Sequence, residues 1–470
     1  MRKTKIVCTI GPASESYETL KQMCEAGMNV ARLNFSHGTH DEHKVRIDTI
    51  KKVREELGLP IPILLDTKGP EYRIGTFAKG KALLQDGAEF IFTADEVEGD
   101  EKKVSVSYKQ LPGEMFPDDR ILVNDGLIEL AVKEVVGNDI ICKVVIGGEL
   151  SNRKSMSFPG KHLKQKYLSD VDKSDLLFGI EQDVDIVACS FVSCAQDMKD
   201  VRTFLDANGG QNIEIIAKIE NQAGVDNIED IFTVSDGIMV ARGDMGVEIP
   251  FEHLPQIQKD MIGKCRMLGE RVITATEMLE SMIEKPRPTR AEISDVANAV
   301  YDGTSAIMLS GETASGKYPV LAVKTMAKIA ETTEASINYQ KRFFTTEFKI
   351  QNTIDAISHS TCGMAIDIDA KAVVACTLSG ATAKMISRFR GPVDIVGLTT
   401  DEKTWRKLAL SWGVTPAMCD TYPSTDVLFY MAKNAAKAQM KLSKGDKIVI
   451  TGGIINGESG NTNLIKIETI

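Results

Sequence analysis

No apolar run in this 470-residue chain approaches the ~20 residues needed to span a bilayer as a helix. No low-complexity tract and no repeat of fixed period is present, which excludes solenoid and disordered architectures. The nine cysteines form no CxxC pair and no zinc-ligand spacing. Odd in number and dispersed, they read as reduced thiols of a cytoplasmic protein, mostly small core residues. Positive charge is not in excess: 56 Lys and Arg stand against 66 Asp and Glu, a net charge of −10. That balance argues against nucleic acid and anionic membrane as partners, and leaves room for a local basic pocket around a phosphorylated metabolite. The start, Met-Arg-Lys-Thr-Lys, looks like the head of a signal peptide, but the apolar stretch Ile6–Ile10 is too short and runs into Gly11-Pro12. Neither a Walker A sequence nor a kinase GxGxxG occurs, so any nucleotide is held some other way.

What is present is ordinary globular composition, 43% apolar and 26% charged, and length for about three domains. A unit recurs along the chain: a short β-branched run, then an amphipathic helical stretch. The runs are KIVCTI (5–10), NVARLNF (29–35), PILLDT (62–67), DIVACSFV (185–192), EIIAKI (214–219), GIMVAR (237–242), VITAT (272–276) and AIMLS (306–310). Near-continuous apolar strands are what a parallel sheet covered on both faces requires. Helices are predicted over 16–27, with Ser16 as cap and Gly27 as stop, and over 40–58 and 253–270. Another follows Pro288 over 289–303, opened by a Thr289 to Glu292 capping box. Eight strands in βα alternation predict an α/β fold built on a (β/α)8 barrel.

One connection is abnormal. Between PILLDTKGP and about Asp172 the pattern changes to alternating strands, VSVSY (104–108), ILVND (121–125), LIELAVKEV (127–135) and DIICKVV (139–145). This predicts an inserted all-β domain, a β-barrel lid over the catalytic face. A polar stretch at 338–351 marks a second boundary. Beyond it come KAVVACT (371–377), VDIVGLT (393–399), KIVITGG (447–453) and NLIKIET (463–469), with helices from Thr382, around Trp405 and over 426–440. The expected domains are 1–70 plus 171–345 as barrel, 71–170 as lid and 346–470 as an open α/β domain. No carrier-like extension is expected after the last.

Functional groups of such barrels sit at the C-terminal strand ends. Those ends read Arg32, Asn34, Ser36 and His37; Asp66, Thr67, Lys68, Glu71 and Arg73; Lys218, Glu220 and Asn221; Arg242, Gly243 and Asp244; Thr274, Thr276 and Glu277; Ser310, Gly311 and Glu312. Lys218 and Glu220, two apart on a strand, point to one side. They read as a structural ion pair or as part of a site. Glu220 and Asp244 together offer hard oxygens for Mg²⁺ or Mn²⁺. Asn34, Ser36, Asp66 and Thr67 form a second oxygen-rich set, suited either to a monovalent cation or to capping the following helices. Read alone, these parts describe a Mg²⁺-dependent enzyme acting on a phosphorylated or carboxylated small molecule.

The strings MNVARLNFSHG (28–38), ILLDTKGPEYR (63–73), AKIEN (217–221), SDGIMVARGDMGVEIP (235–250) and EKPRPTRAEISDVANAVYDGTSAIMLSGETASGKYP (284–319) closely resemble pyruvate kinase. The resemblance implies transfer of phosphate from phosphoenolpyruvate to ADP, giving pyruvate and ATP in glycolysis. It also implies that Arg32 contacts the substrate phosphate and that Lys218 stabilises the transferring group and the enolate. Glu220 and Asp244 would ligate Mg²⁺. Gly243, Asp244 and Thr276 would hold the substrate carboxylate, with Thr276 near the protonated face. Asn34, Ser36, Asp66 and Thr67 would bind K⁺. Arg73 and His37 would lie on the nucleotide side, and Glu71 is the residue type that accompanies K⁺ dependence. In the terminal domain ACTLSGATAK (375–384) reads as a phosphate cradle or as a plain capped turn. The resemblance favours a sugar-phosphate effector at Thr377, Ser379, Gly380 and Thr382, closed over by TGGIINGESGNTN (451–463), in an allosteric homotetramer.

Three places depart from the family pattern. Ser193 and Cys194 stand where the family has Arg-Lys, Glu277 stands for Gln, and the segment 161–175 lacks the usual Leu-Pro. The first removes a nucleotide contact and the last alters the lid hinge. Two other readings remain: a lyase of the phosphoenolpyruvate type, which would not need ADP, and an impaired paralogue.

Overall fold

The computed structural model describes residues 1–161, 163–453 and 462–470. The strands β1 (Lys5–Thr9), β2 (Val30–Asn34), β3 (Ile63–Asp66), β4 (Ile186–Cys189), β5 (Glu214–Ile219), β6 (Gly237–Ala241), β7 (Arg271–Ala275) and β8 (Ala306–Leu309) close into a barrel. Its neighbours run in the order β1-β8-β7-β6-β5-β4-β3-β2, and every pairing is parallel. All eight predicted runs are these strands. Each is buried on both faces, which is why it reads as continuously apolar.

The helix ends are set by local chemistry. Ser16 caps α1 (Tyr17–Ala26), and Gly27, at φ +114°, ends it in the left-handed region. Thr39 and Glu42 form a capping box on α2 (His40–Leu57). Ser169 and Asp172 do so on α3 (Asp170–Glu181). Cys194 opens α4 (Ala195–Ala207), α5 spans Leu254–Leu268, and the predicted Thr289 box caps α6 (Arg290–Asp302). Among the described residues no helix is long and apolar enough to cross a membrane.

Between β3 and α3 the chain builds a seven-stranded, mostly antiparallel sheet and a separate two-stranded ribbon. The two edge strands of the larger sheet touch through one bridge, Ile74 to Val106. The expected lid barrel is thus a curled sheet closed by one short β-bridge. Phe90 and Phe92, ring centroids 5.4 Å apart, sit in its own apolar core.

The third body is an open five-stranded sheet. β9 (Ala372–Cys376), β10 (Asp394–Thr399), β11 (Val414–Met418) and β12 (Lys447–Gly453) are parallel, and β13 (Thr462–Thr469) is antiparallel. The edge strand β11 and a helix over Thr353–Asp367 have no counterpart in the sequence reading. This body docks on the N-terminal end of the barrel. Leu410 is fully buried among the barrel's interior side chains, a burial of about 1.5–3 kcal/mol. Arg406 Nε donates to Asp185 at 2.7 Å, and Lys3 Nζ pairs with Asp394 at 2.7 Å.

At the same end Arg271 is ion-paired with Glu214 and donates to Ser411 Oγ at 3.1 Å. Burial works against the Glu214 carboxylate, but the charges of Arg271, Lys384 and Lys407 overcome it and hold its pKa at about 2. The folded-state pKa lies below the unfolded value, so the stabilisation is full above about pH 4.3 and is lost as pH falls toward 2. Glu214→Gln is therefore expected to lower the unfolding free energy by about 2–3 kcal/mol near neutrality. The gap from the unsubstituted protein should narrow in urea titrations stepped from pH 7 to pH 3.

Candidate functional site

Four strand ends converge on one carboxylate. Asp66, at the end of β3, is fully buried. Arg32 Nε of β2 donates to its Oδ2 at 2.6 Å, and Lys218 Nζ of β5 donates to its Oδ1 at 2.9 Å. Lys218 also lies 3.0 Å from Glu220 Oε1, as the same-side spacing requires. Ser190, just past β4, accepts from Lys218 at 2.6 Å and donates to the Thr67 carbonyl at 2.6 Å. Thr9 Oγ1 of β1 accepts from Arg32 Nη1 at 2.8 Å. The structure thus links cation, anion, cation and anion in one buried row. Ser190 and Thr9 are members that sequence reasoning missed. Thr9 is the last residue of β1 and Ser190 directly follows β4, both inside the C-terminal part of predicted runs, and that position was their available signal.

The electrostatics follow from the row. Burial raises the Asp66 pKa, but Arg32 and Lys218 outweigh it and hold the carboxyl below its usual range. Burial disfavours the Lys218 ammonium, yet Asp66 and Glu220 keep its pKa above the ordinary lysine value. Glu220 goes the other way: burial, helped by Asp244 and opposed by Lys218, pushes it up to about 7. Its Oε2 accepts from the Phe191 amide at 2.5 Å, and its Oε1 faces the Lys218 ammonium at 3.0 Å. A buried carboxylate close enough to Asp244 to feel its charge offers hard oxygens of the kind a divalent cation takes. Among the described residues no group of three His, Cys, Asp or Glu side chains could hold a metal. Glu220 and Asp244 supply two carboxylates, a donor set that Mg²⁺ takes when water or substrate oxygens complete its shell.

A second feature is strain. Thr276 has φ +69° and Glu277 φ +54°, the left-handed region that a β-branched residue avoids. Arg242 braces this turn: it donates to the Thr276 carbonyl at 2.6 Å and the Ala275 carbonyl at 3.2 Å, and pairs with Asp295 at 2.8 Å. The Gly243 amide donates to Thr276 Oγ1 at 2.7 Å. Glu277 is exposed.

The oxygen set lies on the ends of the neighbouring strands β2 and β3. Asn34 lies opposite Asp66 in register, and its Oδ1 accepts from the Ser36 amide at 3.1 Å. Thr67 offers the carbonyl that Ser190 holds. Below the lid is a cleft of about 350 Å³, lined among others by His37, Arg73, Lys154, Lys161, Ser193 and Asp244. Cys194 is not among its lining residues. The Ser193 and Cys194 amides donate to Asp197 at 2.8 and 3.1 Å. Glu71 is paired with Arg73. At the hinge Tyr167 donates to the Ser190 carbonyl at 2.7 Å, and Asp172 accepts from the Gly69 amide at 2.9 Å. The segment without Leu-Pro is anchored this way, although His162 lies outside the described residues.

Not every strand-end residue joins the site. Thr274 is fully buried and bonds Thr304 at 3.0 Å, and Glu312 accepts from the Leu279 and Ser310 amides. Both brace the barrel. In the terminal body, Thr377 Oγ1 accepts from the Gly380 amide at 2.9 Å, and Thr382 and Thr462 hydroxyls meet at 2.7 Å. The Thr377 hydroxyl acts within the turn, where Gly380 takes the positive φ of +87°, whereas Thr382 reaches across to the last strand. Ser379 belongs to the same loop. Of the expected covering loop, residues 454–461 lie outside the described residues.

Comparison with known proteins bears on this geometry. Residues 1–323 match the family described as pyruvate kinase, barrel domain, and residues 355–468 match pyruvate kinase, alpha/beta domain. A pyruvate kinase of Staphylococcus haemolyticus is 50% identical over 474 aligned residues, covering 100% of this chain and 81% of that protein. One of Clostridium acetobutylicum is 48% identical and is covered completely, as is this chain.

The shared carboxylate has a measurable worth. Asp66→Asn strands two buried cations and is expected to cost about 3–5 kcal/mol in urea unfolding. Neutralising the exposed Lys44–Asp48 pair should cost less than about 1 kcal/mol.

Proposed function

The chain belongs to the pyruvate kinase family, and from that membership we propose that it transfers the phosphoryl group of phosphoenolpyruvate to ADP, giving pyruvate and ATP in glycolysis. The buried row Arg32–Asp66–Lys218–Glu220 carries this reading. Phosphoryl transfer needs in-line positioning and charge neutralisation rather than covalent help. Arg32 binds the substrate phosphate. Lys218 neutralises the group in flight and the enolate oxygen left when the P–O bond breaks. Both cations are held in place by Asp66 before the substrate arrives, so no reorganisation is needed during transfer. Gly243, Asp244 and Thr276 hold the substrate carboxylate. The enolate carbon then takes one proton from the Thr276 side, through a hydroxyl or water relay.

Glu220 and Asp244 would hold Mg²⁺ or Mn²⁺, which supplies charge to the phosphate and carboxylate oxygens when bound. Asn34, Ser36, Asp66 and the Thr67 carbonyl would hold K⁺, with Glu71 as its companion. The nucleotide lies along Arg73 and His37 in the cleft beneath the lid (71–170), which is attached to the barrel (1–70 plus 171–345). A sugar phosphate at Thr377, Ser379, Gly380 and Thr382 in the terminal domain (346–470) would activate a cytoplasmic homotetramer. The family resemblance supports this regulatory reading.

Lys218→Ala tests the central role. It is expected to lower kcat by about 10³-fold or more while Mn²⁺ binding persists. A variant that kept most of its activity would contradict the assignment.

A further inference from the structure

The β2–α2 loop follows Asn34 and carries Ser36 and His37. It returns over the first turn of α2, where His43 is buried, only 1% exposed. The His43 ring stacks on Phe35 with centroids 4.1 Å apart and planes 11° from parallel. Phe35 is itself tied to the site, since its amide donates to the Asp66 carbonyl at 2.9 Å. His43 Nε2 lies 2.8 Å from the His37 carbonyl. A carbonyl only accepts, so Nε2 carries the proton. Nδ1 has no partner. Burial holds the imidazole pKa down at about 4, partly offset by the His37 carbonyl, so the ring stays neutral in this tautomer.

The sequence of contacts runs from α2 to the cleft. The His37 carbonyl lies outside the helix ladder and finds its donor in the side chain of His43. Gly38, at φ +84°, supplies the left-handed backbone that this turn of the loop requires. Held by its carbonyl, the peptide at His37 has one orientation, and the His37 side chain enters the nucleotide-side cleft from it.

We propose that His43 is a positioning residue: its Nε2–H fixes the His37 carbonyl and thereby sets the loop for the nucleotide and the monovalent cation. This rests on the proposed role of that loop. His43 touches no substrate and acts through His37 and its neighbours.

Two variants separate positioning from packing. His43→Phe keeps the stack on Phe35 and removes the donor. His43→Gln places an amide N–H close to the position of Nε2. Steady-state assays would measure half-saturation by ADP, K⁺ and phosphoenolpyruvate, with thermal unfolding alongside. His43→Phe is expected to raise the ADP and K⁺ half-saturation concentrations about 5- to 10-fold, with little change for phosphoenolpyruvate. His43→Gln should restore them to within about 2-fold. If His43→Phe matches the unsubstituted protein for both ligands, or if Gln and Phe fail equally, the proposal is wrong. If the unsubstituted protein needs no monovalent cation, the cation role of the loop fails, and the ADP values alone decide His43.

Discussion

One carboxylate organises the site. Asp66 sits at the end of β3 with no solvent exposure and receives Arg32 from one side and Lys218 from the other. Two buried cations brought to one carboxylate from β2 and β5 would repel each other and lose their hydration. The carboxylate offsets both costs, and the closed barrel holds all three groups at fixed register. Glu220 completes the row, in which two cations face two carboxylates. A divalent ion on Glu220 and Asp244 would make it positive, which suits a multiply anionic substrate.

Much of this was legible because it is local. Parallel strands buried on both faces leave continuous apolar runs, and all eight were readable. Caps at Ser16 and Thr289 depend on neighbours three residues away. The pairing of Lys218 with Glu220 follows from strand periodicity. What escaped depends on contacts across the barrel or on exceptions to local rules. A serine at a strand end reads as a helix cap, and only the register of β3, β4 and β5 turns Ser190 into a partner of Lys218. Threonine argues against a left-handed backbone, so the strain at Thr276 has no sequence signal and survives because Arg242 braces it. Pro416 interrupts the pattern of β11, which tolerates it as an edge strand. The helix over Thr353–Asp367, TIDAISHSTCGMAID, is rich in weak helix formers.

The departures from the family pattern acquire a physical context. The amides of Ser193 and Cys194 are spent on Asp197 at the start of α4, so that wall of the cleft carries no cation. Lys154 and Lys161 bring positive charge from the lid side. The hinge without Leu-Pro is fastened by Tyr167 to the Ser190 carbonyl, the same residue that touches Lys218. Lid attachment and the charged row therefore meet at one strand end. At the opposite end of the barrel, Leu410 and Arg406 join the terminal body to the same strands.

The most direct test of the account is pyruvate formation by the unsubstituted protein from phosphoenolpyruvate, with ADP, divalent cation and K⁺ each omitted in turn and sugar phosphates added in parallel. The account predicts turnover that requires ADP and a divalent ion and is strongly raised by K⁺. Turnover without ADP would contradict it. So would a folded protein that binds Mn²⁺ and phosphoenolpyruvate yet makes no pyruvate under any effector.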